Sequence, residues 1–299
     1  MHYFFSELSS NDVVYSVDKL CIMGEIEYRH IESFSDDLSW FLVGEYNLLN
    51  DTKPWLTKYL KDYKSYIKYG VGEYKNNLNI TLSDDSSFYI GYKHNSNKIG
   101  VCSWKIELNP NKCLPCEFFD RLYRFFVCRS KVKSLRISQA DIAIDFKLPR
   151  KNFYLEKDKR IYSIVNDGLD NITEYLSRHN SNGFCKLYNK SVESNLDYDL
   201  TRFEITLQDF SYSNVCSVFP NIHYYDYSQV KFDDALPKLS QNDEIFVELL
   251  RLHPDKLHSL TYRMRKKFEP YLIYEAPIYK LDYEAFEKLI NKMVVYFFE

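Results

Sequence analysis

The chain has 299 residues, 45% of them hydrophobic and 27% charged, and a net charge of −3. That length suits two modest domains or one enlarged one with a sizeable core, and the composition excludes a disordered chain. The mildly acidic balance also excludes a protein that coats nucleic acid over its whole surface. Charge is unevenly placed: residues 1–50 carry nine acids against two bases, and residues 121–160 carry twelve bases against four acids. A local basic stripe suits binding at one place, although a solvated helix face explains any single one of these charges equally well. The 27 tyrosines and 21 phenylalanines are strand formers and offer flat faces for stacking bases; low-GC coding is the plainer source of most of them.

The start, Met1-His-Tyr-Phe-Phe-Ser-Glu7, has no positive n-region and no apolar run of secretory length. No stretch reaches the roughly 18 apolar residues of a membrane span, so a cytoplasmic protein is expected. Val13 to Tyr28 alternate as a strand. Residues 36–69 have helical spacing, with Trp40, Leu48, Trp55, Tyr59, Leu60, Tyr63 and Ile67 facing inward. Leu78–Leu82 and Ser87–Tyr92 read as a hairpin across Asp84-Asp85, and Val101–Leu108 as a strand ended by Asn109-Pro110-Asn111. Phe118–Cys128 is an amphipathic helix with Phe118, Leu122, Phe125 and Phe126 inward, and Ser138–Phe146 is a strand. Lys159–His179 mixes strand and helix, Gly183–Lys190 is a strand or a strand-to-helix passage, and Leu200–Leu207 is a strand. After Phe210 the texture turns helical, around 241–253, 255–268 and 282–298. A boundary is therefore expected near 210. His94-Asn-Ser-Asn97 recurs as His179-Asn-Ser-Asn182, each followed by a glycine and, two residues later, a cysteine; the echo marks two similar halves or is chance. Seven scattered cysteines form no disulfide framework. Cys113-Leu-Pro-Cys116 lacks the second pair that a structural zinc needs, so reduced thiols are expected.

The sharpest chemical pattern is acidic. In a strand, Asp141 and Asp145 share one face and Ile142 and Ile144 the other. The same alternation sets Arg202 and Glu204 against Phe203 and Ile205, and puts Lys105 with Glu107. If these strands are neighbours, several carboxylates converge, and like charges repel unless a cation neutralises them. Carboxylate oxygens suit Mg²⁺ or Mn²⁺. Cross-strand ion pairs, such as Arg202 with Asp145, are the plainer reading. Tyr188 could serve as a nucleophile; a phenol with a pKa near 10 needs a base or cation to assist it. Lys190, on the same side if the strand persists, could stabilise the developing charge.

The order Asp141-x-x-x-Asp145, Tyr188-x-Lys190-x-x-Glu193, Arg202-x-Glu204 resembles the replication initiation factor family, often called Rep_trans. This family holds plasmid rolling-circle initiators, filamentous-phage replication proteins and some relaxases of mobile elements. Lys105-Ile-Glu-Leu-Asn-Pro-Asn-Lys112 and the early Asp18-Lys-Leu strand add to the likeness, which runs from about residue 13 to 210. Tyr175-Leu-Ser-Arg-His-Asn-Ser181 departs from the family's Gly-Ser-Arg stretch by lacking the glycine. The resemblance implies an α+β fold: an HUH-like domain with a central antiparallel sheet flanked by helices over 1–210, then a mostly helical region over 211–299 for DNA specificity or dimerisation. It implies that Tyr188 nicks one DNA strand, assisted by Lys190, and keeps the 5′ end as a phosphotyrosine. It implies Mg²⁺ or Mn²⁺ held by three of Asp141, Asp145, Glu193 and Glu204, with Glu107 an open alternative. Implied partners are origin DNA, single-stranded at the nick, and the host helicase and polymerase; plasmid members act as dimers, so a homodimer is implied too. Arg121, Arg124, Arg129, Lys131, Lys133, Arg136 and Arg202, and on a late helix Arg263, Arg265 and Lys266 beside Lys267, are the expected DNA contacts. A relaxase with the same chemistry, a non-catalytic DNA-binding protein on this fold, and an unrelated aromatic-rich structural protein remain as rivals.

Overall fold

The structure is a computed structural model that describes residues 4–9, 13–28, 33–34, 36–38, 40–41, 60–62, 74, 76–82, 87–166, 171–224, 239–252, 256, 260–271 and 278–299. In chain order the strands are β1 (Ser6–Leu8), β2 (Val14–Glu27), β3 (Leu60–Asp62), β4 (Asn76–Leu82), β5 (Ser87–His94), β6 (Val101–Leu108), β7 (Arg136–Phe146), β8 (Phe153–Leu155), β9 (Tyr162–Asn166), β10 (Ile172–Leu176), β11 (Cys185–Asn189), β12 (Thr201–Leu207), β13 (Ile222–Tyr224) and β14 (Ile278–Tyr279). The helices are α1 (Pro110–Cys113), α2 (Glu117–Val127), α3 (Lys190–Ser194), α4 (Tyr212–Val218), α5 (Gln241–Leu252), α6 (Tyr262–Phe268) and α7 (Tyr283–Phe298). Eleven strands form one sheet in the order β3-β4-β5-β6-β2-β7-β12-β11-β10-β9, with β1 pairing β2; β14-β13-β8 form a small second sheet. Every pairing is antiparallel, as expected for a sheet with one face buried and one polar.

The alternation read from the sequence sets the two faces. On the apolar face, Val17, Leu20, Ile22, Trp104, Ile106, Ile142, Ile144, Phe203 and Ile205 are buried. Helix α2 covers this face: Phe126 packs on Trp104, and Phe118 and Phe119 on Phe88. Trp104 satisfies its indole N–H on Ser130 Oγ at 2.8 Å, as a buried indole requires. Gly24 lies opposite Trp104, where a Cβ would stand 2.6 Å from the indole ring.

Helix α7 belongs to the same core. Phe297 packs on Phe5, Phe119 and Tyr123, and the Tyr123 hydroxyl donates to the Phe297 carbonyl at 2.6 Å. The boundary expected near 210 is therefore not a boundary of the core, because the last helix of the 211–299 region returns to it. A separate small cluster of Val247, Leu250 and Phe268 joins α5 to α6. Among the described residues the C-terminal region is mostly helical, and it also supplies the short strands β13 and β14.

Two further expectations change. Within the stretch expected as a helix over 36–69, the described residues between 33 and 41 are helical, but Leu60–Asp62 is a strand. Phe34 and Leu38 are buried and Phe41 packs against the core, whereas Trp40 is 76% exposed. The inward stripe runs 34, 38, 41, and a residue two places after Leu38 lies roughly 200° round the helix from it. Leu48, Trp55, Tyr59, Tyr63 and Ile67 lie outside the described residues, as does the Asp84-Asp85 turn. Within Lys159–His179 the described residues form the antiparallel pair β9–β10, with no helix among them. No helix among the described residues is long and apolar enough to cross a membrane.

Candidate active site on the polar face of the sheet

Cross-strand register assembles this site. Tyr188 pairs with Arg202, which pairs with Asp145; Lys186 pairs with Glu204; and Thr206 pairs with Asp141. Because β12 lies between β7 and β11, all these side chains share the polar face. The Tyr188 hydroxyl donates to Glu204 Oε1 at 2.6 Å, and Lys186 Nζ donates to Glu204 Oε2 at 3.1 Å. Burial raises the Tyr188 pKa well above that of an ordinary phenol, the Glu204 charge adds to the rise, and nearby Arg202 opposes it. Burial also raises the Glu204 carboxyl above 4.5; Lys186 pulls it down and Asp18 pushes it up. The phenol is thus neutral, with a proton acceptor already in hydrogen-bond contact.

Beside this pair lies a dense ion cluster. Arg202 Nε and Nη2 bond both Asp145 oxygens at 2.6 and 2.7 Å, and Nη1 donates to Asp18 Oδ2 at 2.8 Å. Arg202 is 1% exposed and Asp145 3%. Asp18 arrives through a register shift in β2. Val17 pairs with Ile142 and Lys19 with Asp141, so Asp18 is an extra residue. Such a bulge re-aims a side chain: Asp18 meets Arg202 while the next residue, Lys19, reaches Glu107 at 3.7 Å. Sequence reasoning passed over Lys186 and Asp18 as site residues. Lys186 was accessible as the residue two before Tyr188 in a strand, but a bulge leaves no signature in simple alternation.

The four acids expected to hold a metal do not gather. Asp141 accepts the Thr206 hydroxyl at 2.7 Å, Asp145 is clamped by Arg202, and Glu204 is taken up by Tyr188 and Lys186. Glu193 is exposed on α3 and pairs with Lys190. Glu107 is bound by Lys105 at 2.5 Å; burial opposes its ionisation, yet Lys105 and Lys19 hold its pKa below the ordinary value. Among the described residues no three His, Cys, Asp or Glu side chains form a group able to hold a metal ion. The donors as arranged therefore do not fit a resident divalent cation: Arg202 already pairs with Asp145, Lys186 with Glu204 and Lys190 with Glu193.

The expected DNA contacts divide. Arg202 is enclosed in the ion cluster and is not a surface contact. Arg121 and Arg124 lie on α2, across the sheet from Tyr188; Arg129 stacks on Phe125 at 4.0 Å, and Lys131 pairs with Glu27 at 2.6 Å. Lys133 and Arg136 are exposed. Arg136 is in register with Met23, and through it with Lys105, on the polar side. On α6, Arg263 and Lys266 are exposed, Arg265 is half-buried near Tyr162, and Lys267 pairs with Asp243 at 2.7 Å. Lys190 Nζ stands 5.8 Å from the Tyr188 ring centre. Cys113 and Cys116 are buried and form no disulfide.

No protein-family model matches the chain, and no curated protein matches it in sequence. Among solved structures, it is similar to the rolling circle replication initiator protein from Geobacillus stearothermophilus. The identity is 18%, over 80% of this chain and 84% of that chain, with a TM-score of 0.34.

Proposed function

We propose that the chain is a rolling-circle replication initiator that cuts and rejoins one DNA strand through Tyr188. The observation that carries this is the Tyr188 hydroxyl held at 2.6 Å on the Glu204 carboxylate, beside Lys186 and Lys190, within the motif order that resembles the initiator family. As the Tyr188 oxygen attacks phosphorus, its proton passes to Glu204. The O–P bond to tyrosine forms, the P–O3′ bond breaks, and the 3′ oxygen leaves and takes a proton from solvent. Lys186 favours the ionised form of Glu204 that accepts the proton, and Lys190 stabilises the charge that grows around phosphorus. The phosphotyrosine keeps the phosphoester for rejoining, and the free 3′-OH can prime a polymerase. A relaxase of a mobile element would use the same chemistry. A non-catalytic DNA-binding protein on this fold is the second reading, favoured by the mutual neutralisation of Arg202 and Asp145.

The test is cleavage of a labelled single-stranded oligonucleotide from the chain's own origin, with Mg²⁺ or Mn²⁺ present as the family resemblance implies. The wild type should yield a covalent adduct on the Tyr188 peptide. Tyr188→Phe should bind the oligonucleotide and leave it whole. Cleavage by Tyr188→Phe would remove Tyr188 from the reaction, and no cleavage by the wild type would favour the non-catalytic reading.

A further inference from the structure

The polar face differs on the two sides of Tyr188. Towards β12, β7 and β2 the side chains nearest the tyrosine are Glu204, Asp145, Asp141 and Asp18, against Arg202 and Lys19. Arg202 is enclosed by its own acids, so that side is acidic where it meets solvent and repels a phosphodiester backbone. Towards β10 and β9 the register sets Tyr175 beside Lys186 and Ser163, and Thr173 beside Val165. Glu174 alternates with Tyr175 and lies on the opposite face. Among the described residues, this half of the face therefore carries no acid on β9, β10 or β11. Val165 is 45% exposed there.

Beyond Lys186 the β10–β11 turn adds rings and charge. Phe184 alternates with Lys186, whose Nζ stands 5.9 Å from its ring centre. Tyr175 stacks on Phe184 at 6.1 Å, and His179 meets Phe184 edge-on at 5.2 Å. Phe184 is buried beneath them, Tyr175 is half-buried and His179 is exposed. The turn is braced by its own hydroxyls: Ser181 Oγ donates to the Arg178 carbonyl at 2.6 Å and meets Ser177 Oγ at 2.9 Å. The Arg178 side chain is exposed and has no hydrogen bond or ion pair among the described residues. At about 3.3 Å per residue, Phe184 lies about 13 Å along β11 from Tyr188. Arg136 stands at the same end of the sheet, because Gly183 bonds Thr206 and β7 runs on past Ala140, the partner of Leu207. Rings beside unspent positive charge are what a single strand needs, since bases stack on aromatic faces and phosphates take the cations.

We infer that the DNA strand held for cutting leaves Tyr188 along β11 and β10, its bases on Tyr175 and His179 and a phosphate on Arg178, rather than across the acids of β12, β7 and β2. This rests on the reading of Tyr188 as the nicking residue, which brings the strand to this face.

The experiment is fluorescence anisotropy of a short labelled oligodeoxythymidylate across a salt series, with EDTA present so that nothing is cut. Stacking is sequence-tolerant, so this probe serves without the origin. Each variant is checked for native circular dichroism. Tyr175→Ala should weaken binding about fivefold or more, and Tyr175→Phe should stay within about twofold of wild type, since the ring remains. Because Tyr175 is half-buried, His179→Ala repeats the test at an exposed ring, with a loss of about fivefold expected. Arg178→Ala should lower the salt slope by about 1, and Lys19→Ala, on the acidic side, should change neither quantity. Cutting of the origin oligonucleotide by wild type with Mg²⁺ or Mn²⁺ is scored separately. Losses in the ring and Arg178 variants without cutting by wild type would support the track and remove the nicking reading. Cutting by wild type, with His179→Ala and Arg178→Ala binding as wild type does, would keep the nicking reading and overturn the track. Equal losses in Lys19→Ala and Arg178→Ala, or no binding by wild type, would overturn it too.

Discussion

Arg202→Met separates a structural clamp from a DNA contact. The guanidinium is 1% exposed and holds both oxygens of a 3% exposed carboxylate at 2.6 and 2.7 Å. At about 4 Å between charge centres and an effective dielectric near 20, that attraction is worth about 4 kcal/mol. Removing the cation leaves Asp145 charged and buried, a change that costs roughly 3–5 kcal/mol. Asp18 is a smaller loss because its side chain is 20% exposed and can hydrate. For a chain of this size each kcal/mol moves the melting temperature by about 2–3 °C, so Arg202→Met should melt roughly 6–15 °C lower. Adding Asp145→Leu should restore most of that, since well-packed apolar groups replace buried ion pairs at little cost. The assay is thermal melting of the four proteins of the cycle, with DNA affinity measured on folded protein well below the transition. A loss under about 1 kcal/mol, or no recovery in the double variant, would refute the clamp. Weakened DNA affinity in an otherwise stable Arg202→Met would return Arg202 to the interface.

Glu204→Gln tests the electrostatics beside Tyr188. Burial raises the Glu204 pKa above 4.5, so only between 4.5 and the raised value does the folded protein hold a proton that the unfolded chain has released. Its contribution is full below 4.5 and is lost as pH rises through the raised value. The stability of Glu204→Gln relative to wild type should therefore improve with pH in urea titrations from pH 4.5 to 9, and a gap that does not move with pH would contradict the burial. Gly183→Ala should cost about 2–5 kcal/mol: its φ is +76°, a region costing roughly 1–2 kcal/mol for other residues, and a Cβ would stand 2.7 Å from Val218, an overlap worth about 1–3 kcal/mol. Gly100, at φ +71° but 3.8 Å from its nearest neighbour, should lose only the backbone share on Gly100→Ala; equal melting shifts for the two would count against the crowding. Arg136→Ala should lower the salt slope of DNA affinity by about 1, measured by anisotropy across a salt series, whereas Arg124→Ala, on α2 behind the sheet, should leave it unchanged.

Much of this is legible in the amino-acid sequence. Alternation in Asp141–Asp145 and Arg202–Glu204 told which side chains face together, because strand periodicity is strictly two. It could not tell which strands adjoin, and that decides the chemistry: β12 between β7 and β11 sets Arg202 against Asp145 rather than leaving the acids to a cation. The ion pair weighed as the plainer reading is the one present. The glycine echo was a true structural signal, since Gly100 and Gly183 both take positive φ in the β5–β6 and β10–β11 hairpin turns. Trp40 failed because stripe membership depends on phase, and one aromatic does not reveal phase. The return of α7 to the first core was invisible because nothing in a helix's own periodicity names its partner.

The extra residue in β2 has an evolutionary corollary. Loss of the Asp18 codon would straighten the strand without inverting the faces on either side, so Val17 and Leu20 would still pack inward. The arginine cluster would then lose one of its two acids while the hydrophobic scaffold stayed whole. Packing and chemistry in this strand are thus separable by a single in-frame deletion, which lets descendants retune the charge at the site without rebuilding the sheet.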